Sequence, residues 1–95
     1  VVIQPATSEY VYLSANGTTT AKSGAGVLRR IVIGSKGSLL NILTVYDNTT
    51  ATGSIIALID TSSQGGSFDF EVDFTTGLTL VLANGTAAHV TVIFE

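Results

Sequence analysis

Between Ser67 and Phe74 the chain reads Ser-Phe-Asp-Phe-Glu-Val-Asp-Phe, four apolar residues alternating strictly with four polar ones. Only a strand, with its two-residue side-chain period, sorts such a run into two clean faces. Phe68, Phe70, Val72 and Phe74 are therefore expected to anchor a core, with Ser67, Asp69, Glu71 and Asp73 facing outward. The rest of the chain follows the same logic. Ten glycines punctuate it, β-branched residues fill the intervals, and no stretch has the periodicity of a helix.

Strands are expected over Glu9–Ser14, Thr18–Lys22, Val27–Ile33, Leu39–Tyr46, Ser54–Asp60, Ser67–Phe74, Leu78–Leu82 and Ala88–Glu95. Asn16-Gly17 and Asn84-Gly85 are hairpin signals, because both residue types tolerate positive φ. About eight short antiparallel strands fit an all-β, two-sheet sandwich, with jelly-roll-like wiring as the expected topology. The domain runs from residue 9 to residue 95, preceded by an extended arm at residues 1–8, where Pro5 disfavours a central strand. Two of the expected strands, Leu39–Tyr46 and Ser54–Asp60, are apolar on both faces. One face belongs to the core. The other needs a cover, which in a chain without helices is expected to be a neighbouring subunit.

Composition bounds the function. Ninety-five residues make one small domain with limited spare stability. Charged residues are 12% of the chain, about half the usual share of roughly 25%, which suits a surface built for assembly contacts. Four basic residues and a net charge of −3 argue against a nucleic-acid groove. No apolar run approaches the ~20 residues of a membrane-spanning helix, and the start has no basic region of a signal peptide. The chain lacks cysteine, so it has no disulfide framework and no thiolate metal site.

Catalytic chemistry finds few materials. His89 is the single histidine, and no spacing of Ser and Asp suggests a nucleophile with its base. On alternation His89 shares an outer face with Thr91, Ile93 and Glu95, opposite Val90, Val92 and Phe94. Asp69, Glu71 and Asp73 lie about 7 Å apart along one strand face. That spacing suits paired-carboxylate chemistry, but the chain has no Trp for a sugar platform. The same face could be solvated or salt-bridged, hold a hard cation, or meet Arg29, Arg30 or Lys36 of another subunit. No catalytic, cofactor-binding or metal-ligating residue is assigned, and the chain is expected not to be an enzyme. Arg29-Arg30 sits inside an apolar strand, so one arginine must occupy the less favourable side or the strand must be an edge. Asn16-Gly17-Thr18, Asn48-Thr49-Thr50 and Asn84-Gly85-Thr86 match the glycosylation sequon, as chance matches do in a Thr-rich chain. Tyr10, Tyr12 and Tyr46 could form a small binding platform or rim an interface.

Lys22-Ser23-Gly24-Ala25-Gly26-Val27-Leu28 leads into a strand, and Tyr46-Asp47 precedes a turn with Gly53. Phe70-Glu71-Val72-Asp73-Phe74-Thr75-Thr76-Gly77-Leu78 follows, and Val90-Thr91-Val92 closes the chain. In this order, over roughly residues 20–95, the segments resemble small virion proteins of tailed bacteriophages. The resemblance implies a capsid decoration or cement protein, trimeric, on the outer surface of a phage head, with the major capsid protein as partner and no cofactor. It carries over no catalytic residue. Contacts are expected from the arm (Val1, Val2, Ile3), from Arg29 and Arg30, and from the two-faced strands (Leu43, Val45, Ile55, Ile59). The alternative reading is a carbohydrate- or receptor-binding module of a phage tail or fibre.

Overall fold

The computed structural model describes residues 8–95. The arm positions Val1, Val2, Ile3 and Pro5 lie outside the described residues. The described chain forms β1 (Glu9–Leu13), β2 (Gly17–Ser23), β3 (Gly26–Ser35), β4 (Ile42–Tyr46), β5 (Ile55–Asp60), β6 (Gly66–Phe74), β7 (Gly77–Ala83) and β8 (His89–Phe94). The strands make two four-stranded sheets, in the orders β1-β8-β3-β6 and β2-β7-β4-β5. All pairings are antiparallel. Only β4 and β5 are consecutive strands sharing a sheet; every other connection crosses between sheets. This is the jelly-roll wiring expected from the sequence.

Alternation builds the core between the sheets. Val90, Val92 and Phe94 of β8 point inward, as do Leu78, Leu80 and Leu82 of β7, and all six are buried. Register aligns them with their neighbours: Ile31 lies opposite Val92, and Leu43 opposite Leu82. Each such fully buried side chain contributes roughly 1.5–3 kcal/mol relative to exposure.

Three sequence expectations need correction. The Asn-Gly turns reverse the chain, but neither closes a hairpin. Asn16-Gly17 passes the chain from β1 to β2 and Asn84-Gly85 from β7 to β8, each into the opposite sheet. The left-handed φ of Asn84 (72°) and Gly85 (58°) supplies the tight reversal, while burial of apolar faces in both layers decides where the next strand lands. Secondly, β3 is a central strand, and it accommodates both arginines through a bulge. Its register against β8 and β6 shifts between Leu28 and Arg30. The extra residue lets both arginines reach the outer face, where each forms an ion pair. Thirdly, Val72 does not join the core: it lies opposite buried Leu28, but β6 is an edge strand, bulged at Glu71 (φ 52°), and leaves it uncovered. Phe74 is buried and Phe68 and Phe70 pack against the core.

The opposite end of the sandwich from the Asn-Gly turns is tied by a carboxylate. Asp47, just after β4, accepts hydrogen bonds from the main-chain N–H groups of Thr75 (3.0 Å) and Thr76 (2.9 Å) in the β6–β7 turn. These donors hold its carboxyl below the ordinary value of 3.8. Asp60 is lowered likewise, by the hydroxyls of Ser62 and Ser63. A depressed carboxyl contributes stability that is fully present above the unfolded-state value and lost as pH falls through the folded-state value. The urea midpoint should therefore hold through neutral pH and fall below about pH 4. Asp47→Asn should lower the midpoint at pH 7 and flatten that acid limb. An equally steep acid loss in the variant would contradict the assignment.

Candidate interaction surfaces

Four loops meet at one end of the sandwich: β1–β2, β3–β4, β5–β6 and β7–β8. Asn41 joins them. It is fully buried, and its Nδ2 donates to Asn16 Oδ1 (2.9 Å), to the Asn84 carbonyl (2.8 Å) and to the Ala83 carbonyl (3.1 Å). Its Oδ1 accepts from the Ala88 N–H (3.0 Å) and from the Thr61 hydroxyl (2.5 Å). A buried amide is costly unless satisfied, and this one is satisfied by all three other loops. Ser38 and Thr86 exchange two main-chain hydrogen bonds of 3.1 Å beside it, and Gly37 donates to the Thr61 carbonyl (3.0 Å).

The network holds an unusual segment. Leu39 and Leu40 both have left-handed backbone, with φ of 57° and 64°. Both are also among the most exposed apolar side chains, at 77% and 71%. The sequence reading placed them in a strand starting at Leu39; the strand starts at Ile42 instead. Left-handed backbone in a leucine costs roughly 1–2 kcal/mol. An exposed leucine forgoes roughly 1.5–3 kcal/mol of burial. Strain of this kind persists only where the surroundings over-determine it, and the Asn41 network does so. Apart from Lys36, the four loops (residues 14–16, 36–41, 61–65 and 84–88) carry no charged residue.

The second surface is the outer face of the β2-β7-β4-β5 sheet. Register places Thr18, Val81, Thr44 and Leu58 in one row across it. Ile42 and Ala83 lie beside that row. Leu58 (61%) and Ile55 (54%) are exposed on the edge strand β5. The β4–β5 loop covers the far part of this face: the Thr79 hydroxyl donates to the Asn48 carbonyl (2.7 Å) and the Thr20 hydroxyl to the Thr49 carbonyl (3.1 Å). Asp60, at one end of β5, is the charged residue of this outer row. With its one charge at the end of the strand, the apolar stretch Ile55–Ile59 has few of the usual guards against pairing with another chain.

The other sheet carries the ion pairs. On its outer face Arg29 pairs with Glu71 and Glu95, and Arg30 Nε lies 2.7 Å from Asp69 Oδ1. Of the acidic row, Asp69 and Glu71 are salt-bridged within the chain, the reading the sequence left beside a solvated face, a cation site and a basic partner subunit. At the edge, Tyr10 and Tyr12 both point outward from β1, and the Tyr12 hydroxyl lies 2.8 Å from His89 Nδ1. The two rings meet edge-on with centroids 6.0 Å apart. No cluster of three or more His, Cys, Asp or Glu occurs among the described residues.

The expected contact residues divide accordingly. Leu43, Val45 and Ile59 are core residues, with Leu43 and Val45 fully buried; they point to the inner face and offer nothing outward. Ile55 is exposed as expected, joined by Leu58. Arg29 and Arg30 are on the surface but already paired. Leu39 and Leu40 were missed, although the doubled Leu before Asn41 signals a register break, since it puts adjacent apolar residues on opposite faces.

No family model and no curated protein sequence matches the chain. Among solved structures the chain is similar to the core of Drosophila NLP, a structure reported to give insight into pentamer formation and histone binding. The TM-score is 0.59 at 16% identity, over 95% of this chain and 97% of that one. At that identity the likeness establishes a shared fold.

Asn41→Ala should strip partners from the buried Ala88 N–H and Thr61 hydroxyl, and destabilise the domain by about 3 kcal/mol in urea unfolding. A change below about 1 kcal/mol would show that the network is not what holds this end together.

Proposed function

We propose that this chain is a structural virion protein, a decoration or cement module that associates with copies of itself and clamps the outer surface of a bacteriophage head. The observation that carries the reading is the rigid, almost uncharged apolar surface: Leu39 and Leu40 at the loop end, and Ile55 and Leu58 on the edge strand. Exposed apolar side chains on a strained, fixed backbone cost an isolated domain several kcal/mol by the magnitudes above, a cost that burial against a partner would return. Charge segregation supports a like partner. The ion-paired sheet is suited to solvent, and the sparsely charged sheet, with Lys22 and Asp60, to another copy. The resemblance of segments Lys22–Leu28 and Phe70–Leu78 to phage virion proteins supports the setting, with the major capsid protein as second partner.

A clamp of this kind acts by linkage. It binds the assembled shell and not its dissociated subunits, and so stabilises the shell by mass action; repetition over a lattice adds avidity. The similarity to the Drosophila NLP core supports oligomerisation through this fold, since that structure concerns a pentamer. It lends no support to histone binding here, because Asp69, Glu71 and Glu95 are engaged by arginines of the same chain.

A second reading, a carbohydrate- or receptor-binding module of a tail or fibre, is favoured by Tyr10 and Tyr12. They are 74% and 53% exposed, two residues apart on one face. A glycan array separates the two: specific binding abolished by Tyr10→Ala with Tyr12→Ala supports the second reading against the first.

Sedimentation tests the first. A discrete oligomer, with a trimer as the expected state, should dissociate to folded monomer in the double variant Ile55→Asp, Leu58→Asp. A wild-type monomer at all concentrations up to the millimolar range would remove the self-association on which the clamp depends.

A further inference from the structure

We propose that Asn84 is a site of spontaneous main-chain chemistry, and that its conversion to isoaspartate releases the Leu39–Leu40 tip. The chain has four asparagines: Asn16, Asn41, Asn48 and Asn84. An asparagine side chain is attacked by the main-chain nitrogen of the following residue, and the reaction is least hindered when that residue is glycine. Two asparagines, Asn16 and Asn84, precede glycine. Asn41 is fully buried and followed by β-branched Ile42. Asn48 donates to the Thr52 carbonyl (2.9 Å), accepts from the Thr49 N–H and is followed by β-branched Thr49.

The structure separates the two Asn-Gly sites. The Asn16 amide is held at both ends. Its Nδ2 donates to the Gly85 carbonyl (2.9 Å), and its Oδ1 accepts from Asn41 Nδ2 (2.9 Å). Gly17 behind it is already paired with Leu82 in β2. Asn84 is exposed, and its side chain makes no hydrogen bond among the described residues. Gly85 lies in a turn rather than a ladder. For attack, that turn must open far enough for the Gly85 nitrogen to reach Asn84 Cγ.

The step balances as follows. The Gly85 amide nitrogen loses its proton and attacks Asn84 Cγ. A new C–N bond forms, the Cγ–Nδ2 bond breaks, and ammonia leaves carrying that proton. The product is a five-membered imide. Water then adds to either imide carbonyl and opens the ring. One direction gives aspartate. The other gives isoaspartate, in which the main chain runs through the former side chain and is one carbon longer.

The position of that extra carbon gives it consequence. The Asn84 carbonyl accepts from Asn41 Nδ2, Gly85 packs against the Ser38 and Leu39 backbone without room for a side chain, and Thr86 is bridged to Ser38. A longer main chain displaces all three contacts at once. The left-handed geometry of Leu39 and Leu40 depends on them. Either product also adds a carboxylate to an end that otherwise carries Lys36 and Asp60.

The test incubates the folded protein at mildly alkaline pH and maps its peptides by mass, with enzymatic methylation of isoaspartate as the marker. Asn84 should convert several-fold faster than Asn16, and Asn84→Ser should abolish the dominant conversion. Conversion at Asn16 as fast as at Asn84, or none at Asn84 while an unfolded control converts, would overturn the site. The converted protein, separated from unconverted chain by its added charge and from the aspartyl product by reversed-phase chromatography, is then compared with Asn84→Asp by amide hydrogen exchange. Loss of protection at Ser38 and Thr86 in the isoaspartyl form, with protection kept in Asn84→Asp, is the expected result. Equal protection in wild type and the isoaspartyl form would overturn the release of the tip.

Discussion

The side chain of Asn41 is the constraint on which one whole end of this molecule depends. A jelly roll sends most of its connections between sheets, so the loops at each end come from strands that do not pair with one another. Sheet hydrogen bonding cannot align them. Here a buried amide does that work, with donors and acceptors directed at all three neighbouring loops. In a low-dielectric interior such a network is strong when complete and costly when broken. It therefore acts as a single unit and gives the loop end the rigidity of the sheets below it. The carboxylate of Asp47 plays a simpler version of the part at the other end, bracing the β6–β7 turn.

Rigidity matters because of what it holds in place. Leu39 and Leu40 could relax to right-handed backbone or fold back on the sandwich if the loop were loose. Fixed as they are, they keep apolar surface in water and pre-pay the ordering cost of a contact. The outer face of the β2-β7-β4-β5 sheet makes the same point in a gentler form: Ile55 and Leu58 stand out from an edge strand whose one charge, Asp60, sits at its end. The ion pairs are gathered on the opposite sheet. Exposed pairs of that sort contribute at most about 1 kcal/mol to stability, so their main effect is to give the two faces different characters.

Much of the architecture was legible in the sequence, because alternation and turn residues are local signals. The inward set of β8 (Val90, Val92, Phe94) and the outward placement of His89 follow directly from a two-residue period. The wiring followed from strand number and spacing. What was not legible depended on events that alternation cannot show. A bulge lets Arg29 and Arg30 share a face, and an exposed edge leaves Val72 uncovered. Nothing local marks Asn41 as buried; its role depends on loops 20 to 47 residues away in sequence. The two-faced strands were expected to need a cover, and Leu43, Val45 and Ile59, named for that contact, face the core instead. Ile55 was named from the sequence; the other outward residues, Ile42 and Leu58, became evident once the register between β4 and β5 was known.

Amide hydrogen exchange at the loop end tests this account most directly. If the Asn41 network binds the four loops into one unit, the amides of Gly37, Ser38, Thr86 and Ala88 should exchange together, with protection approaching that of the central strands β7 and β8. If they exchange as freely as exposed turns, at rates unrelated to one another, the loop end is not a rigid platform and Leu39 and Leu40 are not held for a partner.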